Sequence, residues 1–322
     1  MDKVALLFAG QGSQYTGMGK DLYESFPGSK AIFDKADEVL GFDISRLCFE
    51  GPNEELMLTH NCQPAIFTVS IACLEALKSA ACLPDRQASC LPVRQAGSLQ
   101  LASFAAGLSL GEYSALVATE AVSFEDAVYL VRRRGEFMEE EARKKPGKML
   151  SIIGLTQDAV KRICLQTKAE IANINCPGQI VISGGIKEIE QAELLAKEQK
   201  AKMTVVLEVS GAFHSSFMKE ASVRLAAELD KITINKPKIP LVSNATAKPT
   251  RLPDEIKDNL IRQVSSCVLW EDSMKFILSS GIRNFIELGP GKILKGLMRR
   301  IDEGAQVINI ENRQDIQNFK VT

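Results

Sequence analysis

The chain has 322 residues, 45% of them apolar and 25% charged, with a formal net charge of −1. That balance fits a globular fold with a large core, and it argues against nucleic acid as the main partner, because phosphate binding needs an excess of Lys and Arg. Eight cysteines show no C-x-x-C pair and no ligand-like spacing with the two histidines, which argues against zinc and fits small hydrophobes in a reducing compartment.

The first apolar run, Val4-Ala5-Leu6-Leu7-Phe8, reads as a strand rather than a basic, cleavable leader, and no apolar run reaches the roughly 18–20 residues that span a bilayer. The expected location is cytoplasmic. A glycine-rich turn, Gly10-Gln11-Gly12-Ser13-Gln14, follows the strand. Such a turn can bring backbone close to a ligand, but neither nucleotide-binding glycine spacing is present. By itself it reads as a surface turn.

Residues 20–80 read as helical with short breaks: apolar residues at helical spacing predict helices over 21–26, 30–40 and 64–78, separated by Gly28, Gly41 and Gly51-Pro52. His60, near the start of the third, has no evident acidic or histidine partner and reads as structural or surface-facing. The segment Cys82 to Ser89 is nearly repeated from Cys90 to Gly97. One short tandem copy reads as a duplicated polar surface loop, and no chemistry is assigned to it.

The run Leu99, Leu101, Phe104, Ala105 and Ala106 then leads into Gly107-Leu108-Ser109-Leu110-Gly111, a G-x-S-x-G, and a helix follows from Tyr113 to Ala118. A serine hydroxyl is a weak nucleophile. It needs exposure, a nearby base and donors for a developing oxyanion, and a sharp strand-to-helix turn offers all three. The competing reading is a glycine-rich packing turn around a buried serine.

A helix over 124–143 carries Arg132, Arg133 and Arg134, which cannot share one face, so at least one points inward or sideways. After the linker-like Lys144-Lys145-Pro146-Gly147, strands and helices alternate as β-α-β-β-α-β over 149–209, the split βαβ signature of a ferredoxin-like unit. His214 follows at the return to the main domain, within Gly211-Ala212-Phe213-His214-Ser215. It is the best candidate for a base, against the alternative of a structural histidine at a turn. The remainder alternates again: a helix over 218–230, a strand near 240–244, helices over 254–263 and 270–279, a strand over 284–288, and Gly289-Pro290-Gly291 before a closing helix over 292–301. The expected fold is α/β: an α/β-hydrolase-like main domain (1–145 and 211–322) with a mostly parallel sheet, and an inserted ferredoxin-like α+β subdomain (146–210).

Six stretches, in this order and spread over nearly the whole chain, resemble the malonyl-CoA:acyl-carrier-protein transacylase family of fatty-acid and polyketide synthesis. They are Gly10 to Gln14, Gly107 to Glu112 around Ser109, Arg134-Gly135, Gly211 to Ser215, Arg262-Gln263 before Trp270, and Gly289-Pro290-Gly291. The resemblance implies a ping-pong transfer in which Ser109 attacks malonyl-CoA and His214 takes its proton. The oxyanion would rest on the backbone N–H groups of Gln11 and Leu110, and the thiol of acyl carrier protein would collect the malonyl group. It also implies that the Gln263 carbonyl orients His214, that Arg134 pairs with the malonyl carboxylate, and that the Phe213 ring disfavours an α-methyl. Gln63 is counted with the substrate-binding residues. Malonyl-CoA and acyl carrier protein are the implied partners, with no nucleic acid, membrane, metal or bound organic cofactor. The chain departs from the family at Leu108, where histidine is frequent, and in the longer loop of 82–97. The alternatives are a serine hydrolase that clears acyl groups from a carrier and a non-catalytic carrier-docking module.

Overall fold

The computed structural model describes residues 3–81 and 102–319. The near-repeated segment 82–97 lies outside them, as do Leu99 and Leu101. The strands are β1 (Val4–Phe8), β2 (Ala102–Gly107), β3 (Gly147–Ile153), β4 (Glu170–Cys176), β5 (Gln179–Gly185), β6 (Met203–Val206), β7 (Leu241–Val242), β8 (Pro249–Thr250), β9 (Asn284–Leu288) and β10 (Gln306–Ile310). They form a six-stranded sheet in the order β10-β9-β1-β2-β7-β8 and a four-stranded sheet in the order β4-β5-β3-β6.

In the larger sheet every pairing from β10 to β7 is parallel, and only β8 at the edge runs antiparallel. Such a sheet is covered on both faces, so its central strand can be apolar throughout. β1 shows this. Leu6 and Phe8 enter the main hydrophobic cluster, while Ala5 and Leu7 point to the opposite face and pack with Trp270, Met274 and Phe285. The alternation follows from the two-residue period of a strand.

The smaller sheet is wholly antiparallel, and helices Gln157–Thr167 and Ile186–Glu198 supply the apolar side chains that bury one of its faces. Its chain order is that of the expected split βαβ. β4 also touches the main body: the N–H of Ile174 donates to the Val268 carbonyl (3.0 Å), and the N–H of Val268 donates to the Ala172 carbonyl (2.8 Å). This bridge anchors the chain five residues beyond Gln263.

Several elements go beyond the sequence reading. Helix Arg313–Asn318 and strand β10, past the last strong periodicity, were not anticipated, and the short helices Ile44–Glu50 and Asn53–Met57 fall in the stretch read as helical with breaks without having been delimited. The third long helix begins at Thr59, with Pro64 inside it. Proline has no N–H to offer the carbonyl four residues back. The Arg132 guanidinium takes that place, donating to the His60 carbonyl at 2.8 Å. Among the described residues, no helix is long and apolar enough to cross a membrane.

Candidate active site

β2 ends at Gly107, and helix Gly111–Ala118 begins four residues later, with Ser109 between them at φ 52°. A left-handed serine on so sharp a turn is the strained geometry that lifts a nucleophile out of a sheet. Two features make the turn possible. A Cβ on Gly111 would lie 2.2 Å from the Phe8 carbonyl oxygen, so only glycine lets the elbow sit against β1. The side chain of Asn244, just past β7, holds the elbow from the other side. Its Oδ1 accepts the Ser109 N–H at 2.6 Å, and its Nδ2 donates to the Gly107 carbonyl at 2.8 Å.

The amides around the serine are nearly all engaged. Leu108 N–H bonds the Phe8 carbonyl; those of Gly111, Glu112 and Tyr113 bond the carbonyls of Leu108, Ser109 and Leu110. The Leu110 amide is the one in this run that none of these bonds uses.

His214 arrives on the loop after β6, at φ 57°, and is 6% exposed. The Ser215 hydroxyl bonds back to the Ala212 carbonyl (2.6 Å), which folds this loop on itself. The imidazole lies between two partners: Nε2 is 2.8 Å from Ser109 Oγ, and Nδ1 is 2.8 Å from the Gln263 carbonyl. A carbonyl only accepts, so Nδ1 carries the proton and Nε2 presents its lone pair to the serine hydroxyl. Burial, with the nearby Arg134 charge second, lowers the His214 pKa from 6.5 to about 4, against the pull of backbone carbonyls at Gln263 and Ser266. The imidazole is therefore neutral and ready to accept a proton at ordinary pH.

Arg134 is 1% exposed and is the arginine of the three that points inward. Its helix, Phe124–Lys144, packs so closely on helix Thr59–Ala81 that a Cβ on Gly135 would lie 2.8 Å from backbone atoms of Thr59 and His60. That approach brings the guanidinium to Gln63 Oε1 (2.7 Å), Ser109 Oγ (2.9 Å) and Gln263 Oε1 (3.0 Å). Gln63 in turn lies 3.4 Å from Gln11 Oε1, joining the glycine-rich turn to the cluster. Burial lowers the Arg134 pKa, countered by Tyr113 and Glu112.

The acyl transferase domain family matches residues 5–313. The chain is 45% identical over 322 residues to the malonyl CoA-acyl carrier protein transacylase of Bacillus subtilis, with 98% of this chain and 96% of that protein aligned. The chain belongs to the malonyl CoA-acyl carrier protein transacylase family. Its structure superposes with a TM-score of 0.91 on the acyl-carrier-protein S-malonyltransferase of Bartonella henselae, at 35% identity and 98% coverage of each chain. A malonyl-transacylase solved in complex with a type II polyketide acyl-carrier protein matches at a TM-score of 0.90 and 33% identity, again covering 98% of each.

The structure brings Ser109, His214, Gln263, Arg134, Gln63 and Gln11 into one hydrogen-bonded cluster. Phe213 is buried beside the base, with its side chain in the main hydrophobic cluster. Leu108, at the position where the family often has histidine, packs against the cluster around Trp270. Two neighbours of the nucleophile carried no role in the sequence reading. Asn244 lies in a short strand-end segment without a motif, and Glu112 closes the Gly107 to Glu112 stretch with no role of its own assigned. His60 also gains a partner: its Nδ1 lies 2.5 Å from Glu139 Oε2, a contact between helices that no spacing in the sequence announces.

Proposed function

We propose that Ser109 and His214 form the catalytic dyad of malonyl transfer from malonyl-CoA to the phosphopantetheine thiol of acyl carrier protein. In the first half-reaction Ser109 Oγ bonds to the thioester carbonyl carbon as its proton passes to His214 Nε2. The Gln263 carbonyl stabilises the resulting imidazolium through Nδ1–H, and the backbone N–H groups of Gln11 and Leu110 receive the oxyanion. Collapse breaks the C–S bond, His214 returns the proton to the leaving CoA sulfur, and a malonyl-serine ester remains. The carrier thiol repeats the sequence in reverse, giving its proton to His214 as its sulfur attacks, and Ser109 regains that proton on leaving.

The observation that carries this reading is the buried Arg134 guanidinium 2.9 Å from the nucleophile. A cation fixed beside a reacting serine suits an acyl group that ends in a carboxylate, and an uncharged acyl chain gains nothing from it. In our reading the malonyl carboxylate takes over the donor that Arg134 directs at Ser109, with Gln63 beside it and the Phe213 ring limiting room at the α-carbon. We further infer that the acyltransferase core comprises 1–145 and 211–322, with 146–210 as the inserted unit. The six described free cysteines support a reducing, cytoplasmic setting.

The test is protein-bound label after incubation with radiolabelled malonyl-CoA or acetyl-CoA. Label from malonyl-CoA that is absent in Ser109→Ala and transferable to carrier protein is expected. Steady release of free malonate without transfer would make the protein a hydrolase, and a folded protein that takes no label would be a docking module.

A further inference from the structure

Glu112 stands one residue inside the helix that follows the nucleophile and is 1% exposed, yet nothing in the transfer chemistry uses it. Its Oε2 accepts from Gln263 Nε2 at 2.7 Å and from the Asn244 backbone N–H at 3.2 Å. The same Gln263 amide donates to the Ser109 carbonyl (2.9 Å) through Nε2 and accepts from Arg134 (3.0 Å) through Oε1. Among the described residues no direct hydrogen bond or ion pair joins the carboxylate to the guanidinium, and this amide is hydrogen-bonded to both.

We propose that Glu112 is a positioning residue for malonyl recognition, fixing the Gln263 side-chain amide so that its oxygen faces Arg134 and holds the guanidinium in place for the substrate carboxylate. The reasoning starts from what an amide can do. Its two ends are nearly the same shape, and only its partners decide which end points where. A flipped Gln263 would present its NH2 group to Arg134, donor against donor, and would leave the guanidinium without one of its three acceptors. Glu112 Oε2 and the Ser109 carbonyl both accept from Nε2 and together oppose the flip, and Glu112 makes the shorter of the two bonds (2.7 Å against 2.9 Å). Burial pushes the Glu112 carboxyl up to about 7, opposed first by the Gln263 and Asn244 hydrogen bonds. Both neighbours of Oε2 are donors, so that oxygen remains an acceptor whether or not the group is protonated. The requirement is thus an acceptor at this point rather than a charge.

This inference rests on the reading of Arg134 as the malonyl partner, and the experiment separates the two. The ratio of Ser109 acylation rates from malonyl-CoA and acetyl-CoA is measured in rapid-quench labelling, alongside the reactivity of Ser109 toward an uncharged sulfonyl fluoride. Glu112→Met keeps the bulk and removes the acceptor. Its malonyl-to-acetyl ratio falls by about tenfold, the size of one lost hydrogen bond to a charged group, while sulfonyl fluoride reactivity stays within about threefold. Glu112→Gln restores an acceptor oxygen and holds the ratio within about twofold of the parent protein. If Glu112→Met does not fold, Gln263→Met carries the test, since it removes the amide and leaves the backbone carbonyl on His214; the same fall in ratio is expected. A ratio unchanged in Glu112→Met or Gln263→Met, or lost equally in Glu112→Gln, overturns the proposal. Arg134→Ala is the control: if it leaves the ratio intact, the reading of Arg134 fails and the role of Glu112 fails with it.

Discussion

Replacing Arg134 with alanine isolates the feature proposed to separate malonyl transfer from general acyl transfer. The guanidinium is 1% exposed and fixed by three hydrogen bonds of 2.7, 2.9 and 3.0 Å. A substrate carboxylate delivered to that site in the variant would lose its buried ionic partner, which costs about 3–5 kcal/mol. At about 1.4 kcal/mol per tenfold, kcat/KM for malonyl-CoA should fall by about 10²–10⁴. Acetyl-CoA offers no carboxylate, so its acylation rate should change by less than about tenfold. Rapid-quench measurement of protein-bound label from each thioester gives both numbers, and a thermal melt of the variant separates lost chemistry from lost fold. An equal fall for malonyl and acetyl would refute the reasoning, because the guanidinium would then be serving the dyad or the fold rather than the substrate.

Other perturbations test the frame around the dyad. Gly111→Ala would place a methyl group 2.2 Å from the Phe8 carbonyl oxygen; backbone must move, and Ser109 labelling should drop by more than about 100-fold with a loss of about 1–3 kcal/mol in urea unfolding. Asn244→Ala leaves the Ser109 N–H and the Gly107 carbonyl without their side-chain partner, and should lower stability by about 2–4 kcal/mol and slow acylation together; an active variant of unchanged midpoint would show that the elbow holds itself. The His214 pKa is lowered from 6.5 to about 4, so the base stays neutral as pH falls. Sulfonylation of Ser109 should hold its rate from neutral pH down to about 5 and halve near 4, whereas a midpoint at 6.5 would mean the imidazole is not buried as described. The linked stability runs the same way: between 6.5 and about 4 the unfolded chain binds a proton that the folded one does not, so this contribution falls as pH drops through that window.

That Ser109, His214 and Arg134 would come together was legible in the sequence because each sits in a local pattern. The strand–turn–helix around Ser109 depends on neighbours within a few residues, and the period-two and period-3.6 runs of β1, β2, β9 and the helix at 124–144 are strong. Three consecutive arginines already implied that at least one points inward or sideways. What stayed hidden depends on distance along the chain. Asn244 meets Ser109 across 135 residues, and Gln263 meets Glu112 across 151; no period or motif encodes such pairs. His60 looked partnerless for the same reason, because Glu139 comes from a helix 79 residues away. The short helices at 44–50 and 53–57 were not delimited because they hold too few turns to show a periodicity.

The choice of a carbonyl as the third member of the dyad's support has a physical logic in this site. A carboxylate at the Gln263 carbonyl would hold Nδ1–H more strongly, yet it would also lie close to Arg134. Two such charges in a buried site would pair, and a guanidinium satisfied by the protein's own carboxylate has little left for a substrate's. The neutral Gln263 carbonyl fixes the imidazole tautomer at 2.8 Å without that competition. The carboxylate of Glu112 stands behind the Gln263 amide, which lies hydrogen-bonded between it and Arg134, so it acts on the guanidinium through its charge and not by a direct ion pair among the described residues. In the proposed mechanism, base orientation and carboxylate recognition would therefore share Gln263, its backbone carbonyl serving one and its side chain the other. A carboxylate introduced directly against Arg134, as in Gln63→Glu, should accordingly pair with the guanidinium and suppress malonyl acylation more than acetyl acylation, which the same labelling experiment reads.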